Sequence, residues 1–172
     1  MKVMAEKDKY HCMLLEEGDL DILHKAKLLC FGDKDEADTA VDGISNLTGI
    51  LNAATESGAE YWKELFEEQG SAFFVLFEDE NIIGTTNLHI SDSRAELASS
   101  HILHSHRGRG LSRLLYDARM QYIRESTNCT EIITDIQDNN PASIAAAQRN
   151  GFREKKHYQK NGQPACTYSL EL

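Results

Sequence analysis

The spacing of apolar residues divides the chain into strand-like and helix-like segments. Short runs that are alternately or continuously apolar are typical of β-strands, whereas apolar residues three and four positions apart are typical of amphipathic helices. The clearest strand-like run is SAFFVLF at 71–77, and the polar stretch EDEN at 78–81 predicts a hairpin turn after it. By these criteria strands are predicted at 10–15, 71–77, 82–90, 95–104, 131–137, 152–158 and 166–172.

The helix-like segments have recognisable ends. After residue 110, apolar residues recur at i, i+3, i+4, i+7 and i+11, which is one face of a helix. Asn140-Pro141 supplies an N-cap and a proline at the first helical position, and Asn150-Gly151 ends that alanine-rich helix. Helices are predicted at 19–31, 44–54, 59–69, 111–126 and 141–149, with an acidic loop at 32–42 and a turn at 161–162.

This order of elements predicts the fold class. Strands and helices intermixed in this way indicate an α/β (α+β) fold: a mixed, mostly antiparallel central sheet of about seven strands, flanked by helices. The chain has 172 residues, only two prolines and no low-complexity linker. We therefore expect one domain that spans residues 1–172.

Composition limits the class of protein. Apolar residues make up 41% and charged residues 27%, which is ordinary for a soluble globular protein. No apolar run approaches the length of a membrane span, and the first residues lack the apolar core of a signal peptide. We expect a cytoplasmic protein that does not bind membranes. The four cysteines contain no CxxC pair, which favours buried thiols over two disulfides.

Charge is distributed unevenly along the chain, whose net charge is −10. Residues 1–80 carry 19 acidic and 7 basic side chains, whereas residues 81–172 carry 9 acidic and 11 basic ones. Residues 105–124 alone contain five arginines and one acidic residue. The overall acidity disfavours binding to nucleic acid and leaves this basic stretch to be explained.

The basic stretch contains HRGRGLSR, between a predicted strand and a predicted helix. Glycines there let backbone N–H groups turn toward a ligand, and a helix N-terminus adds partial positive charge. Both features suit an anion, and phosphate in particular. Arg107, Arg109 and Arg113 would add charge-assisted hydrogen bonds. The pattern matches neither GxGxxG nor Walker A, so a plain turn with solvated arginines remains open.

A second motif makes the loop more specific. Arg107, Gly110 and Ser112 fit the pattern Arg/Gln-x-x-Gly-x-Gly/Ala, with serine in the last place. Downstream, NNPASIAAAQRNGF holds an Asn (Asn140), then Ser-Ile, then Gly-Phe. The two motifs together resemble those of the GNAT superfamily of acyl-CoA-dependent N-acyltransferases. The resemblance covers about residues 71–160 well, and the N-terminal third only by its order of elements.

The resemblance implies a GNAT-like N-acetyltransferase. It would move an acetyl group from acetyl-CoA, as cosubstrate, to a primary amine by direct attack. The loop amides from Gly108 to Arg113 would hold the CoA pyrophosphate, and the strand edge at 100–104 would pair with the pantetheine arm. Asn140 would hydrogen-bond that arm and also cap its helix. The expected cofactor-binding residues are Ile102, Leu103, His104, Arg107, Gly108, Arg109, Gly110, Leu111, Ser112, Arg113 and Asn140.

The reaction needs a base, because an alkyl amine with a pKa of ~10.4 arrives protonated. When a shorter loop is allowed for, Glu96 falls where some family members carry a glutamate base. The alternative is an ordinary surface glutamate on a strand. Backbone N–H groups at 100–102 would polarise the thioester carbonyl, as an oxyanion hole does.

The acid that protonates the leaving thiolate is less clear. Many family members have a tyrosine seven residues after the asparagine, and Ala147 stands there in this chain. Ser143 matches a serine of another branch and would hydrogen-bond the thiolate. Tyr116 and Tyr158 are further candidates. A thiolate with a pKa of only ~8.5 also leaves without a dedicated acid.

Histidines crowd the end of the strand before the loop. His101, His104 and His106 form HxxHxH, but on one strand His101 and His104 would point to opposite faces, which disfavours a metal site. A histidine that faces the cofactor or handles a proton is the better interpretation. Trp62 is expected to pack a helix against the sheet, and lining of the acceptor pocket is the alternative.

The acceptor is predicted from charge. The acidic excess lies in residues 1–80, which in this family help to form the acceptor side. A cationic amine, either a small molecule or a peptide, is therefore expected. The alternative is that the acidic residues only keep the protein soluble. A non-catalytic acyl-CoA-binding sensor of the same fold is the rival function, and a homodimer is a possible assembly.

Overall fold

The computed structural model describes residues 1–33, 56–160 and 162–172, to which all that follows refers. These residues form eight strands, four α-helices and a single 3-10 turn at His104–His106. The strands are β1 (Lys2–Lys7), β2 (Tyr10–Leu14), β3 (Ser71–Glu78), β4 (Asn81–Ser91), β5 (Arg94–Ile102), β6 (Glu131–Gln137), β7 (Arg153–Lys160) and β8 (Gln163–Glu171). The helices are α1 (Leu20–Gly32), α2 (Glu56–Glu67), α3 (Ser112–Ser126) and α4 (Pro141–Arg149).

All eight strands belong to one sheet, in the order β1-β2-β3-β4-β5-β6-β8-β7. Every neighbouring pair is antiparallel except β5 and β6, which are parallel. The predicted mixed, mostly antiparallel sheet flanked by helices is thus confirmed, with eight strands rather than about seven. The additional strand is β1, whose sequence KVMAEK buries only Met4 and whose pairing is interrupted by a bulge after Val3. It therefore shows no apolar alternation for a sequence pattern to detect.

The parallel pair is incomplete. β5 and β6 are in register only at Arg94–Glu131, Ala95–Ile132 and Glu96–Ile133. Beyond Glu96, β5 continues along β4 while β6 continues along β8, so the two strands diverge. One side-chain bond remains past this point, from Thr134 Oγ1 to the Leu97 carbonyl at 3.2 Å. The sheet is therefore open between β5 and β6, and both strands end at the same edge.

Each face of the sheet has its own core. The face covered by α3 buries residues such as Phe74, Leu88 and Ile132 against Leu115. We call it the α3 face. The face covered by α1 buries Phe73 and Val75 together with Leu23 and Ala26. We call it the α1 face. Alternation along the strands assigns neighbouring residues to opposite faces, which fixes where polar side chains can gather.

Most predicted elements are confirmed within the described residues, apart from shifts at their ends. The strand predicted at 95–104 ends at Ile102, because the chain turns into the 3-10 turn. The helix predicted at 44–54, the acidic loop beyond residue 33 and Asn161 of the final turn lie outside the described residues. The four cysteines all lie within them and form no disulfide, as expected, although Cys129 is only partly buried. In the parts of the chain that are described, no helix has both the length and the apolar character to cross a bilayer.

Candidate active site

The glycine loop connects the 3-10 turn to α3. Gly108 and Gly110 have φ of 74° and 75°, a left-handed conformation that favours glycine. A Cβ added at either position would meet no atom within 4 Å, so open space lies beside the loop. The backbone N–H groups of residues 108–112 donate to no acceptor among the described residues. Five unpartnered amides at the N-terminus of a helix make a cradle for an anion.

The cradle is one residue shorter than predicted. The Arg113 amide donates to the Gly110 carbonyl at 3.1 Å and closes the first turn of α3. Leu111, predicted to bind the cofactor, has its side chain buried in the α3-face core. Only its backbone therefore faces the cradle.

The arginines of the loop differ in their surroundings. Arg107 donates from Nε to the Ile102 carbonyl at 2.9 Å, and Arg109 donates from Nη2 to the Ser105 carbonyl at 2.8 Å. The first bond holds the loop against the end of β5, and the second holds it against the 3-10 turn. Arg113 lies on the first turn of α3 with 72% of its side chain exposed, beside Asp117. All three add positive potential around the cradle, but only Arg113 fits the description of a solvated arginine.

Two carboxylates hold the histidine-rich turn, and sequence analysis identified neither. Asp33 Oδ2 accepts from the His104 backbone N at 2.6 Å, and it lies 3.0 Å from His104 Nδ1 and 3.7 Å from His101 Nε2. Burial would raise the pKa of Asp33, but the bonds to His104 outweigh it and lower that pKa. The prediction that His101 and His104 point to opposite faces was wrong, because β5 ends between them and both turn toward one carboxylate.

Glu78, at the end of β3, is the second of these carboxylates. His106 Nε2 lies 3.1 Å from Glu78 Oε2, and the Arg109 guanidinium lies 3.7 Å from Glu78 Oε1. Lys9, at 2.7 Å, and then His106 hold the pKa of Glu78 well below its usual range, at about 2. An ionised carboxylate thus ties the loop to the core strands. Neither contact could be predicted from the sequence, because only the folded sheet brings Asp33 and Glu78 close to residues 104–109.

A bulge interrupts β5 at the opening of the sheet. The pairing with β4 shifts between Thr85 and Asn87, and Ser99 adopts a φ of 42°. Ser100 Oγ lies 2.8 Å from Thr86 Oγ1, which fixes the bulged backbone from the neighbouring strand. A bulge turns backbone groups away from the regular ladder. It lies on the strand segment that has no partner on the β6 side.

Glu96 lies where the opening begins. It is the last β5 residue paired with β6, and it is exposed on the α1 face, opposite His89 of β4. His89 Nδ1 lies 3.2 Å from Ser71 Oγ. A carboxylate at this position has access both to solvent and to the space between the diverging strands.

The second predicted motif, which contains Asn140 and Ser143, lies close to the glycine loop. Asn140 Oδ1 accepts from the Ser143 backbone N at 3.1 Å, so Asn140 caps α4 as predicted, and both residues lie just beyond the end of β6. The glycine loop lies just beyond the end of β5. The two motifs thus meet outside the carboxyl ends of two diverging parallel strands, which is where open sheets bind ligands.

The tyrosine candidates lie on different faces. Tyr116 is buried in the α3-face core, where its ring lies 5.9 Å from that of Phe152, and burial raises its pKa. Ala147 is also fully buried there. Tyr158 lies on the α1 face, where burial and then the Asp135 carboxylate raise its pKa. Of the two tyrosines, only Tyr158 is near the opening.

Two cavities lie outside the cradle. One of about 620 Å³ lies at the other end of β2 and β3, against Leu14, Phe66 and Tyr122. A smaller one of about 410 Å³ lies beside Asp33 and Leu103, near the histidine turn. The unpartnered amides and the charges, rather than cavity size, identify the site.

Comparison with known proteins gives a family and a fold. The family model described as "Acetyltransferase (GNAT) family" matches residues 45–152, more than half of the chain. No curated protein sequence matches. Among solved structures, a mutant of the spermidine N-acetyltransferase SpeG from Vibrio cholerae has a TM-score of 0.66 at 19% identity, with 96% of this chain and 95% of that chain covered.

Two more structures of the same Vibrio cholerae protein are similar. Its complex with CoA and spermine has a TM-score of 0.66 at 18% identity, covering 96% of each chain. A dodecameric form in an intermediate state has a TM-score of 0.65 at 19% identity, covering 96% of this chain and 95% of that one. At such identities the likeness concerns the fold alone, and it confirms the predicted architecture.

Proposed function

Because the chain belongs to the GNAT acetyltransferase family, and thus transfers an acetyl group from acetyl-CoA to an amine, we propose that its acceptor is a cationic primary amine. The observation that carries the assignment of the site is the row of unpartnered amides at 108–112 beside the opening between β5 and β6. The family match gives no support to the rival sensor function.

The glycine loop would hold the pyrophosphate of acetyl-CoA. The free amides of 108–112 and the open space beside Gly108 and Gly110 support this role. Arg107, Arg109 and Arg113 would supply positive charge, as guanidinium groups do for phosphates.

The unpaired edge of β5 would bind the pantetheine arm as an added strand does. Residues 98–102 have no partner on the β6 side, which supports this, and Leu103 and His104 continue the path to the loop. The Asn140 side chain, at the end of β6, would bind the arm from the other wall. Its Oδ1 already accepts from Ser143, so the amide N–H₂ is the group it would offer.

Glu96 would act as the base. Acetyl-CoA, when bound, supplies an activated thioester, and the amine must be neutral to attack it. Glu96 would take the proton from the ammonium group, directly or through water, at the start of the opening. Its exposed position on the α1 face supports this, because the acceptor can reach it there.

Backbone N–H groups of 100–102 would polarise the thioester carbonyl. The bulge at Ser99 supports this, since it turns the local backbone out of the ladder. Ser143 would donate a hydrogen bond to the departing thiolate. Tyr116 is not proposed as the acid, because it is buried on the opposite face.

The acidic N-terminal half supports the cationic acceptor. The solved structures of similar fold include an enzyme crystallised with spermine, which is a cationic amine. One of them is dodecameric, which suggests that this chain also assembles with itself; a homodimer, a single domain and a cytoplasmic location remain our predictions.

The experiment is a thiol-release assay with acetyl-CoA and a panel of amines, combined with calorimetry of CoA binding. We expect micromolar CoA binding and the fastest release with cationic amines. Failure of every amine to release thiol, or a preference for neutral or anionic acceptors, would contradict the proposal.

A further inference from the structure

A buried threonine faces the bulge of β5. Thr86 of β4 lies opposite Phe74, which places it on the α3 face, and its side chain is fully buried. The regular pairing of β4 with β5 is interrupted there, so this one residue stands against both Ser99 and Ser100. Two residues against one is the arrangement of a β-bulge. Thr86 is therefore the residue of β4 that the bulge faces.

The Thr86 hydroxyl contacts β5 on both sides of the bulged residue. Thr86 Oγ1 lies 2.8 Å from Ser100 Oγ, and it donates to the Ala98 carbonyl at 3.4 Å. A hydroxyl has one hydrogen to donate and two lone pairs that accept, so both bonds form together when Ser100 donates to Thr86. A buried hydroxyl needs such partners inside the protein. This one links the residue before Ser99 to the residue after it.

Ser99 lies between these two contacts in a strained conformation. Its φ of 42° is rare for residues other than glycine, and such strain persists only where the surrounding structure holds it. After the bulge, β4 and β5 again approach closely: a Cβ added to Gly84 would lie 2.7 Å from the His101 carbonyl. The strained residue is thus held by the Thr86 hydroxyl and by the close strand pairing that follows.

The bulge decides which backbone groups face the opening. Along a regular antiparallel strand, backbone groups point alternately toward one neighbouring strand and the other. An extra residue shifts this alternation by one position, so the N–H groups after Ser99 are directed differently from those of an unbulged strand. These are the N–H groups of residues 100–102, which would polarise the thioester carbonyl. Their direction therefore depends on the hydroxyl pair of Thr86 and Ser100.

We propose that Thr86 is a positioning residue for acetyl transfer, whose hydroxyl holds the bulge so that N–H groups of residues 100–102 point at the thioester oxygen. This inference rests on the proposed function of those N–H groups. Because Thr86 is buried, it acts through the backbone of β5 rather than by contact with a substrate. Removal of one oxyanion donor lowers kcat by about 10²–10³, and a donor that is only misdirected should cost part of this.

Thr86→Val removes the hydroxyl and keeps the shape of the side chain. The single-turnover rate of thiol release, measured with acetyl-CoA and the fastest amine of the panel, should fall roughly tenfold or more. CoA affinity and the KM for the amine should change much less. Thr86→Ser keeps a hydroxyl and should restore most of the rate. Ser100→Ala, at an exposed position, should also lower the rate, and it tests the proposal even if Thr86→Val does not fold.

Thr85→Val is the matched control. Thr85 is also buried, but its hydroxyl donates to the Phe74 carbonyl of β3 at 3.1 Å, away from the bulge. Both valine variants lose a buried hydroxyl and should show similar losses in Tm, whereas only Thr86→Val should lose rate. A wild-type rate in Thr86→Val, or equal losses of rate in both variants, would overturn the proposal.

The infrared band of the thioester carbonyl gives a readout without turnover. A hydrogen bond lowers the stretching frequency of a carbonyl, so the band of bound acetyl-CoA should lie below that of free acetyl-CoA. In Thr86→Val the band should move back toward the free value, and in Thr85→Val it should not. The same band in Thr86→Val and in the wild type would also contradict the positioning role. Absence of thiol release by the wild type with every amine would instead refute the proposed function.

Discussion

Gly110→Ala tests the cradle without adding charge. In the protein alone, the new Cβ meets nothing within 4 Å, so its only cost is the left-handed backbone. That conformation costs an L-residue about 1–2 kcal/mol, and alanine recovers roughly half of that by restricting the unfolded chain. The variant should therefore lose about 1 kcal/mol of stability, which lowers Tm by about 2–4 °C for a domain of this size.

The effect on the ligand should be larger. A Cβ in the cradle would hold the pyrophosphate away from at least one amide, and a hydrogen bond to a charged group contributes about 1.5–3 kcal/mol. CoA affinity measured by calorimetry should therefore fall by roughly tenfold or more. Gly110→Glu adds a negative charge to the cradle and should weaken binding further.

Gly162→Ala provides the matched control. Gly162 has a φ of 76° and equally open surroundings, but it lies in the turn between β7 and β8. It should lose the same stability and keep full CoA affinity. If both variants weaken CoA binding equally, or if neither does, the loop is not the pyrophosphate site.

Three further expectations concern charge. Glu96→Gln should lower the rate roughly a hundredfold or more at neutral pH, with the loss shrinking at high pH where more amine is neutral; a wild-type rate at all pH values removes Glu96 from the mechanism. For a cationic acceptor, kcat/KM should fall as added salt shortens the Debye length from about 30 to 8 Å, and a flat profile would show that the acidic half does not attract the substrate. Because the pKa of Glu78 is lowered from 4.5 to about 2, its ionised form stabilises the fold above pH 4.5, and this contribution is lost as pH falls from 4.5 to 2. Thermal melts of Glu78→Gln should therefore lose less Tm between neutral pH and pH 3 than the wild type does, and identical losses would contradict the role of this carboxylate.

Local patterns predicted the parts of the site that depend on neighbouring residues. The glycine loop and the cap at Asn140 each follow from a few consecutive residues and the element that contains them, whereas Glu96 was selected from the family resemblance. The flanking strands were predicted because buried strands such as SAFFVLF are continuously apolar. These features require no knowledge of what lies across the sheet.

The rest depends on residues that only the fold brings together. Asp33 meets His104 across 71 positions, and Glu78 meets His106 across 28. The two-residue period also failed at His104, because it holds only while a strand continues.

The brief parallel pairing has a consequence for how the protein folds and melts. It divides the sheet into an antiparallel block of β1–β5 and another of β6–β8, joined by three residue pairs. Within each block, strands pair with antiparallel neighbours. The β5–β6 pairing can form only after the whole connection through α3 is in place, which costs loop entropy. The β5–β6 pairing is thus the least cooperative contact between strands of the sheet. If acetyl-CoA binds between these strands, as proposed, it would supply backbone bonds that the two strands do not make with each other, so its binding should also raise the stability of the folded protein.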